Sequence, residues 1–245
     1  MKKNKPIDIY WTLHPNIATP SAIYRDPEKQ TVLAPCPVVA DYNSRIRFLK
    51  SPFHLEISPK WIFDAKTDQY IFDGFDARSN DVQDPFLWSP DTINVTGETT
   101  WYDPSKAQFQ YILPYVFLAE EDVQMYLMGL QSSETTSQLD EIRNIEAVLN
   151  IGQIPRGLSS AFAFEKMFET KAVFTKNQPQ IKLLFSDRVR LHKFTAPESL
   201  KMWLGENTNL TNMNRGTGSL FETIQRRRPK SLFKDIKNNI EYSEA

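Results

Sequence analysis

Residues 109–118 constrain most what this chain can fold into. Phe109, Tyr111, Leu113, Tyr115 and Phe117 fall on one side of an extended strand, and Ile112, Val116 and Leu118 on the other, because successive strand side chains point to opposite faces. A strand apolar on both faces has to be covered on both, by another sheet or by a helix. Ala119-Glu120-Glu121-Asp122 reads as a polar turn, and residues 123–130 as the antiparallel partner returning beside the first strand.

The remaining pattern is also β-rich. Arg45-Ile46-Arg47-Phe48 alternates like a half-buried strand, and Phe53, Leu55 and Ile57 face one way with His54 and Glu56 the other. Trp61-Ile62-Phe63 and Tyr70-Ile71-Phe72 flank a polar hexapeptide and predict a hairpin. Residues 73–107 read as a long structured loop with one strand at most. Residues 139–149 fit either a strand or helical spacing. Further strands are expected at 161–164, 172–174, 181–185 and 188–194, with helices at 198–204 and 220–240. Sixteen Phe, nine Tyr and five Trp beside eight Gly and sixteen Pro favour pleated surfaces over helices. Pro15, Pro20, Pro27, Pro35 and Pro37 make the early stretch an extended loop or edge. The expected fold is mainly β: an antiparallel β-sandwich or jelly-roll-like core over 1–195, with a helical C-terminal subdomain over 196–245 packed on or projecting from it.

A formal net charge of −1 argues against wholesale electrostatic binding of duplex nucleic acid or an acidic membrane. Cys36 is the single cysteine, so no internal disulfide and no cysteine-based metal site can form. Between two prolines it reads as a buried structural thiol rather than a nucleophile. The basic start, Met1 to Lys5, is followed by Ile7-Asp8-Ile9-Tyr10, which breaks any signal-type apolar run. No stretch approaches the roughly 18 apolar residues of a membrane span. The expected location is the cytoplasm of the producing cell, or a virion, and the glycosylation-like triplets at Asn94 and Asn209 are read as chance.

The sharpest chemical reading joins His54-x-Glu56 to the distant His192, the order of a facial triad that binds Fe(II) in 2-oxoglutarate-dependent oxygenases. Alternation puts His54 and Glu56 on one side of a strand, as that chemistry needs. It also turns them, and His192, away from the face that Leu55, Ile57, Val189 and Leu191 mark as buried. No arginine follows His192 closely enough to hold a 2-oxoglutarate carboxylate. The triad is therefore set below a solvated strand face. His14 reads as a surface or capping residue. The carboxylates Asp64, Asp68, Asp73, Asp76, Asp81 and Asp84 lack the spacing of a calcium loop. Residues 152–157 are neither a Walker loop nor a dinucleotide fingerprint. The densest charge lies at Arg226, Arg227, Arg228, Lys230, Lys234 and Lys237, interleaved with an apolar stripe of Leu232, Phe233, Ile236 and Ile240. That stripe is expected to be only partly covered, leaving a basic amphipathic helix for a partner or an anionic surface.

Cys36-Pro37, residues 48–56, Gly152-Gln153-Ile154-Pro155-Arg156-Gly157, Ala161-Phe162-Ala163-Phe164 and residues 178–185 together resemble an uncharacterised protein family of large tailed bacteriophages. That family includes proteins of cyanobacterial phages and has distant bacterial relatives. The resemblance runs in order over residues 7–240 and implies origin and fold continuity, with no catalytic residues or substrate attached. The function expected is that of a non-enzymatic interaction or structural protein, phage-encoded and without cofactor, with a protein partner or self-association and no membrane. An oxygenase using His54, Glu56 and His192 is one alternative, and a nucleic-acid accessory protein using the basic C-terminus is another.

Overall fold

The strand at the centre of the expected fold is also the axis of the observed one. The computed structural model describes residues 5–13, 23–24, 37–51, 54–79, 93–94, 107–130, 137–152, 156–207 and 228–243. The twelve-residue β7 (Gln108–Ala119) pairs antiparallel along one edge with β11 (Arg156–Phe164). Its other edge takes β1 (Ile7–Leu13) and the short β6 (Ile93–Asn94). β14 (Val189–Phe194) lies parallel to β1, and β9 (Ile142–Ile145) and β15 (Ile240–Ser243) close the two ends of this seven-stranded sheet. A five-stranded sheet runs β10 (Ala147–Asn150), β8 (Gln124–Met128), β13 (Pro179–Phe185), β3 (Ile46–Lys50) and β2 (Ile23–Tyr24). A third sheet runs β12 (Ala172–Phe174), β4 (Leu55–Asp64) and β5 (Gln69–Arg78). The protein is mainly β.

The two apolar faces of β7 serve two different clusters. Phe109, Leu113, Tyr115 and Phe117 enter a large core shared by all three sheets, with Leu49, Ile57, Leu127, Phe174, Leu183 and Leu191 among its members. Val116 and Leu118 face the opposite way, into a second cluster with Tyr10 and Phe194. That cluster is completed by Leu200 and Trp203 of α2 (Glu198–Asn207) and by Leu232 and Ile236 of α3 (Leu232–Asn238). Cover on both faces is thus supplied by sheets on one side and by the C-terminal helices on the other.

Several expectations are corrected. Residues 124–128 do not return beside β7: β8 pairs with β13 and β10 in the other large sheet. The end of β10 holds the turn open, because Ala119 N–H donates to Ile151 O at 3.2 Å and Ile151 N–H donates to Val123 O at 3.0 Å. Gly152 makes this approach feasible, since a Cβ there would lie 2.1 Å from the carbonyl oxygen of Glu121. Of the two readings left open for residues 139–149 the strand holds: the chain is β9, then Glu146, then β10, crossing from one sheet to the other. Pro37 opens a helix, α1 (Pro37–Ser44), where an extended stretch was expected, a place that suits a residue with no N–H to satisfy.

Arg47 is 0% exposed rather than on a wet strand face. Its guanidinium donates to the carbonyls of Ile46 at 2.7 Å, Ser44 at 3.2 Å and Val189 at 3.4 Å, which answers the desolvation of a buried charge. Among the described residues of the C-terminal segment, helix runs over 232–238 and Ile240 begins a strand. Leu232 and Ile236 are wholly buried and Phe233 half-buried, so the stripe is docked on its own domain. The reason is the apolar outer face of the seven-stranded sheet, which the helix completes.

Candidate functional site

The triad residues do not assemble. His54 lies just before β4, half-buried, and its carbonyl accepts a hydrogen bond from Ser79 Oγ at 2.6 Å. Glu56 sits in the three-stranded sheet, paired with Lys171 Nζ at 3.4 Å. His192 belongs to the seven-stranded sheet. Among the described residues no group of three His, Cys, Asp or Glu side chains gathers as a metal would require. Cys36, His14, Asp81, Asp84, Arg226 and Arg227 lie outside the described residues.

His192 is 8% exposed, not solvated, because α3 packs on the face it shares with Phe194 and β15 pairs alongside it. Its Nε2 lies 2.9 Å from Asp8 Oδ1 and its Nδ1 2.6 Å from Ser243 Oγ. A carboxylate only accepts, so Nε2 carries the proton given to Asp8, and in the neutral ring Nδ1 then accepts from the serine hydroxyl. The order Ser–His–Asp is that of a hydrolytic relay with the two ring nitrogens exchanged. The ring is also stacked on Tyr10 at 5.2 Å. With both nitrogens satisfied and the ring enclosed, the group ties β1, β14 and β15 together. Beside it, burial pushes the Tyr10 hydroxyl upward. Lys237 is held above its usual range by its 2.6 Å contact with Glu120.

That contact also changes the reading of the basic run. Lys237 is used to fasten α3 to the turn after β7. The Arg228 guanidinium stands over the Phe233 ring at 5.6 Å, and Lys230 and Lys234 are exposed. Two of the described cations thus have these contacts, and all four, Arg228, Lys230, Lys234 and Lys237, are exposed.

The feature that sequence reasoning passed over is the hairpin of β4 and β5. The hairpin itself was expected; its exposure was not. Its turn is set by Asp64, whose carboxylate accepts from Lys66 N–H and Thr67 Oγ, both at 2.9 Å, with Asp68 in the left-handed region at φ 54°. The strands pair over Trp61↔Phe72, Ile62↔Ile71 and Phe63↔Tyr70, beyond a register shift between Lys60 and Trp61. Ile62 and Ile71 therefore share one face and are 53% and 51% exposed, while Phe63 and Tyr70 on the other are each 50% exposed. Phe168, from the connection between β11 and β12, stacks edge-on to Tyr70 at 4.7 Å and is itself exposed. The root of the ribbon is firm. Trp61 meets Phe72 at 5.4 Å, Phe72 meets Phe75 at 4.9 Å, and Phe75 meets Phe109 of the core at 5.6 Å. This is an anchored arm whose outer half is apolar on both faces.

A groove of ≈ 680 Å³ opens near the arm's base, lined by Ser58, Pro59, Asp140, Glu141 and Glu169 among others. Glu141 accepts from Lys171 N–H at 2.8 Å, and Lys171 holds Glu56, so part of its charge is already matched. Among the described residues no helix is long and apolar enough to cross a membrane. No family model, no curated protein and no solved structure matches this chain.

Proposed function

We propose that this chain is a non-enzymatic structural or interaction protein whose contact element is the β4–β5 arm, carried on a β-sandwich made of its two larger sheets. One observation carries the reading: Ile62, Phe63, Tyr70 and Ile71 stand half exposed at the end of a two-stranded ribbon fixed to the core. Single exposed apolar residues are ordinary, but a contiguous exposed cluster marks an interaction site. A ribbon apolar on both sides fits a slot or a sheet edge in a protein better than a flat anionic surface. The sandwich reading rests on the core shared between the sheets. The resemblance to the tailed-phage family supports placing the chain among phage-encoded proteins.

Magnitudes define what the arm can do alone. Burying a whole large apolar side chain is worth about 1.5–3 kcal/mol, so covering the exposed halves of four gives roughly 3–6 kcal/mol. Association itself costs about 4–15 kcal/mol. Side-chain burial therefore has to be joined by backbone pairing or by further surface for a lasting complex.

The test is a photo-reactive benzoylphenylalanine at Phe63, activated in the cell that makes the protein, with the same group at Val148 as control. Val148 is 54% exposed on β10, in a different sheet from the arm. The proposal expects a discrete protein adduct from position 63, lost when Ile62→Thr and Ile71→Thr are combined, and none from position 148. Equal adducts at both positions, or none at 63, would overturn it.

A further inference from the structure

We infer that the occupant of the arm is a second copy of this chain, paired antiparallel along β5 about a two-fold axis at Ile71; this rests on the interaction reading above. Three features of the strand point there. First, β5 is the end strand of its sheet, and among the described residues its outer edge has no partner. An unpaired edge presents a row of backbone N–H and C=O groups that a like strand can complete.

Second, the edge lacks the usual protection. Natural edges are blunted with lysine, proline, inward charge or a bulge, and the bulge in β5 falls at Asp73, beyond residues 69–72. Gln69-Tyr70-Ile71-Phe72-Asp73 holds no proline and no cation, and its only charge is Asp73 at the end. Tyr70 and Ile71 are each half exposed on opposite faces of this edge.

Third, the sequence of β5 is self-complementary in one register. With Ile71 opposite its own copy, Tyr70 faces Phe72 twice and Gln69 faces Asp73 twice. Apolar meets apolar at three positions, and no like charges stand opposite each other. Shifting the centre to Phe72 sets Ile71 against Asp73; shifting it to Tyr70 sets Ile71 against Gln69; a centre at Asp73 opposes two carboxylates. Cross-strand pairs are the unit of sheet stabilisation and like charges directly opposite weaken it, so the Ile71-centred register is favoured. The product is a six-stranded sheet across the axis, with the Ile62 and Ile71 faces of both copies gathered into one apolar strip. Isologous pairing of this kind closes on itself and forms no filament.

The experiment uses the full chain in a Cys36→Ser background, with Ile71→Cys introduced, and Val148→Cys as control. Residues directly opposite across an antiparallel pair lie about 4.5–5.5 Å apart, inside the Cα separation a disulfide accepts. Mild oxidation of Ile71→Cys should give a covalent dimer in high yield at low-micromolar protein, and Val148→Cys should give little. Sedimentation of the cysteine-free parent should show a monomer–dimer equilibrium weakened at least roughly tenfold by Ile71→Lys. A parent that stays monomeric to high-micromolar concentration, or Ile71→Cys that links no better than Val148→Cys, overturns the homodimer. If the Phe63 adduct then contains a different protein, the arm remains the contact element and only its occupant is wrong. If no adduct forms either, both readings fail.

Discussion

Ile236→Ala is the substitution through which the docking of the C-terminal segment can be measured. Ile236 is wholly buried in the cluster formed by Tyr10, Val116, Leu118, Phe194, Leu200, Trp203 and Leu232. The change removes three carbons, and at about 0.8 kcal/mol for each buried methylene the transfer loss is roughly 2.4 kcal/mol. The cavity left behind adds to this, giving an expected total of about 3–4 kcal/mol, within the range found for such truncations. The side chain of Asp235 beside it accepts from Ser199 Oγ at 2.9 Å, and Thr195 N–H donates to Asn239 O at 3.0 Å. These bonds restrain collapse of the helix into the gap. Urea unfolding followed by tryptophan fluorescence provides the assay, because Trp203 reports from the same cluster. The matched control is Lys234→Ala on the exposed side of α3, expected to fall within about 0.5 kcal/mol of wild type. An Ile236→Ala change as small as the control would refute the reasoning, since it would mean that the helix does not rest on the sheet.

Other outcomes follow from the same geometry. Gly152→Ala should cost about 1–3 kcal/mol or more, because its Cβ meets the backbone of Glu121 and cannot be relieved by a side-chain rotation; unchanged thermal stability would contradict the close approach. Tyr115→Asp should cost at least about 3 kcal/mol by placing a charge in the core, measured by the same urea assay. Tyr10 and Lys237 are both raised above their ordinary values. The stability they lend is therefore present below about pH 10 and lost as pH rises through their folded values. Amide exchange in α3 should accelerate there, and less so in Glu120→Gln, where the Lys237 partner is already weakened. Glu241 is lowered by its bonds to Lys193 and Thr195. Its contribution is present above the usual carboxylate range and lost as pH falls through its folded value, so β15 should fray in acid, seen as faster exchange at 240–243.

What could be read from sequence is what periodicity encodes. The two faces of residues 109–118 were legible because every position there but Gln110 is apolar or aromatic, and the faces Leu55, Ile57, Val189 and Leu191 turn inward were legible from alternation. Which strand lies beside which was not. Residues 124–128 look like a hairpin partner for β7, yet β13 competes for them and the buried Ile151 holds the turn apart. His192 was rightly placed opposite Leu191, but whether that opposite face is wet depends on a helix far along the chain, α3. Arg47 looked solvated because its type is usually so, and only the nearby carbonyls of Ile46, Ser44 and Val189 explain its burial. The arm was misjudged for the converse reason. Trp61-Ile62-Phe63 and Tyr70-Ile71-Phe72 have the composition of buried strands, and nothing local in them says that the ribbon extends past its sheet.

Amide hydrogen exchange over residues 69–73 tests the central claim most directly, read at low and at high protein concentration and in the assembled state recovered from the producing cell. Each of these residues lies on an edge strand whose outward N–H groups have no partner among the described residues. If the arm is the contact element and β5 its pairing edge, exchange at 69–73 slows on assembly while exchange at the exposed Val148 does not. If assembly leaves 69–73 as fast as in the dilute chain, and protection appears elsewhere, the arm is not where this protein meets its partner.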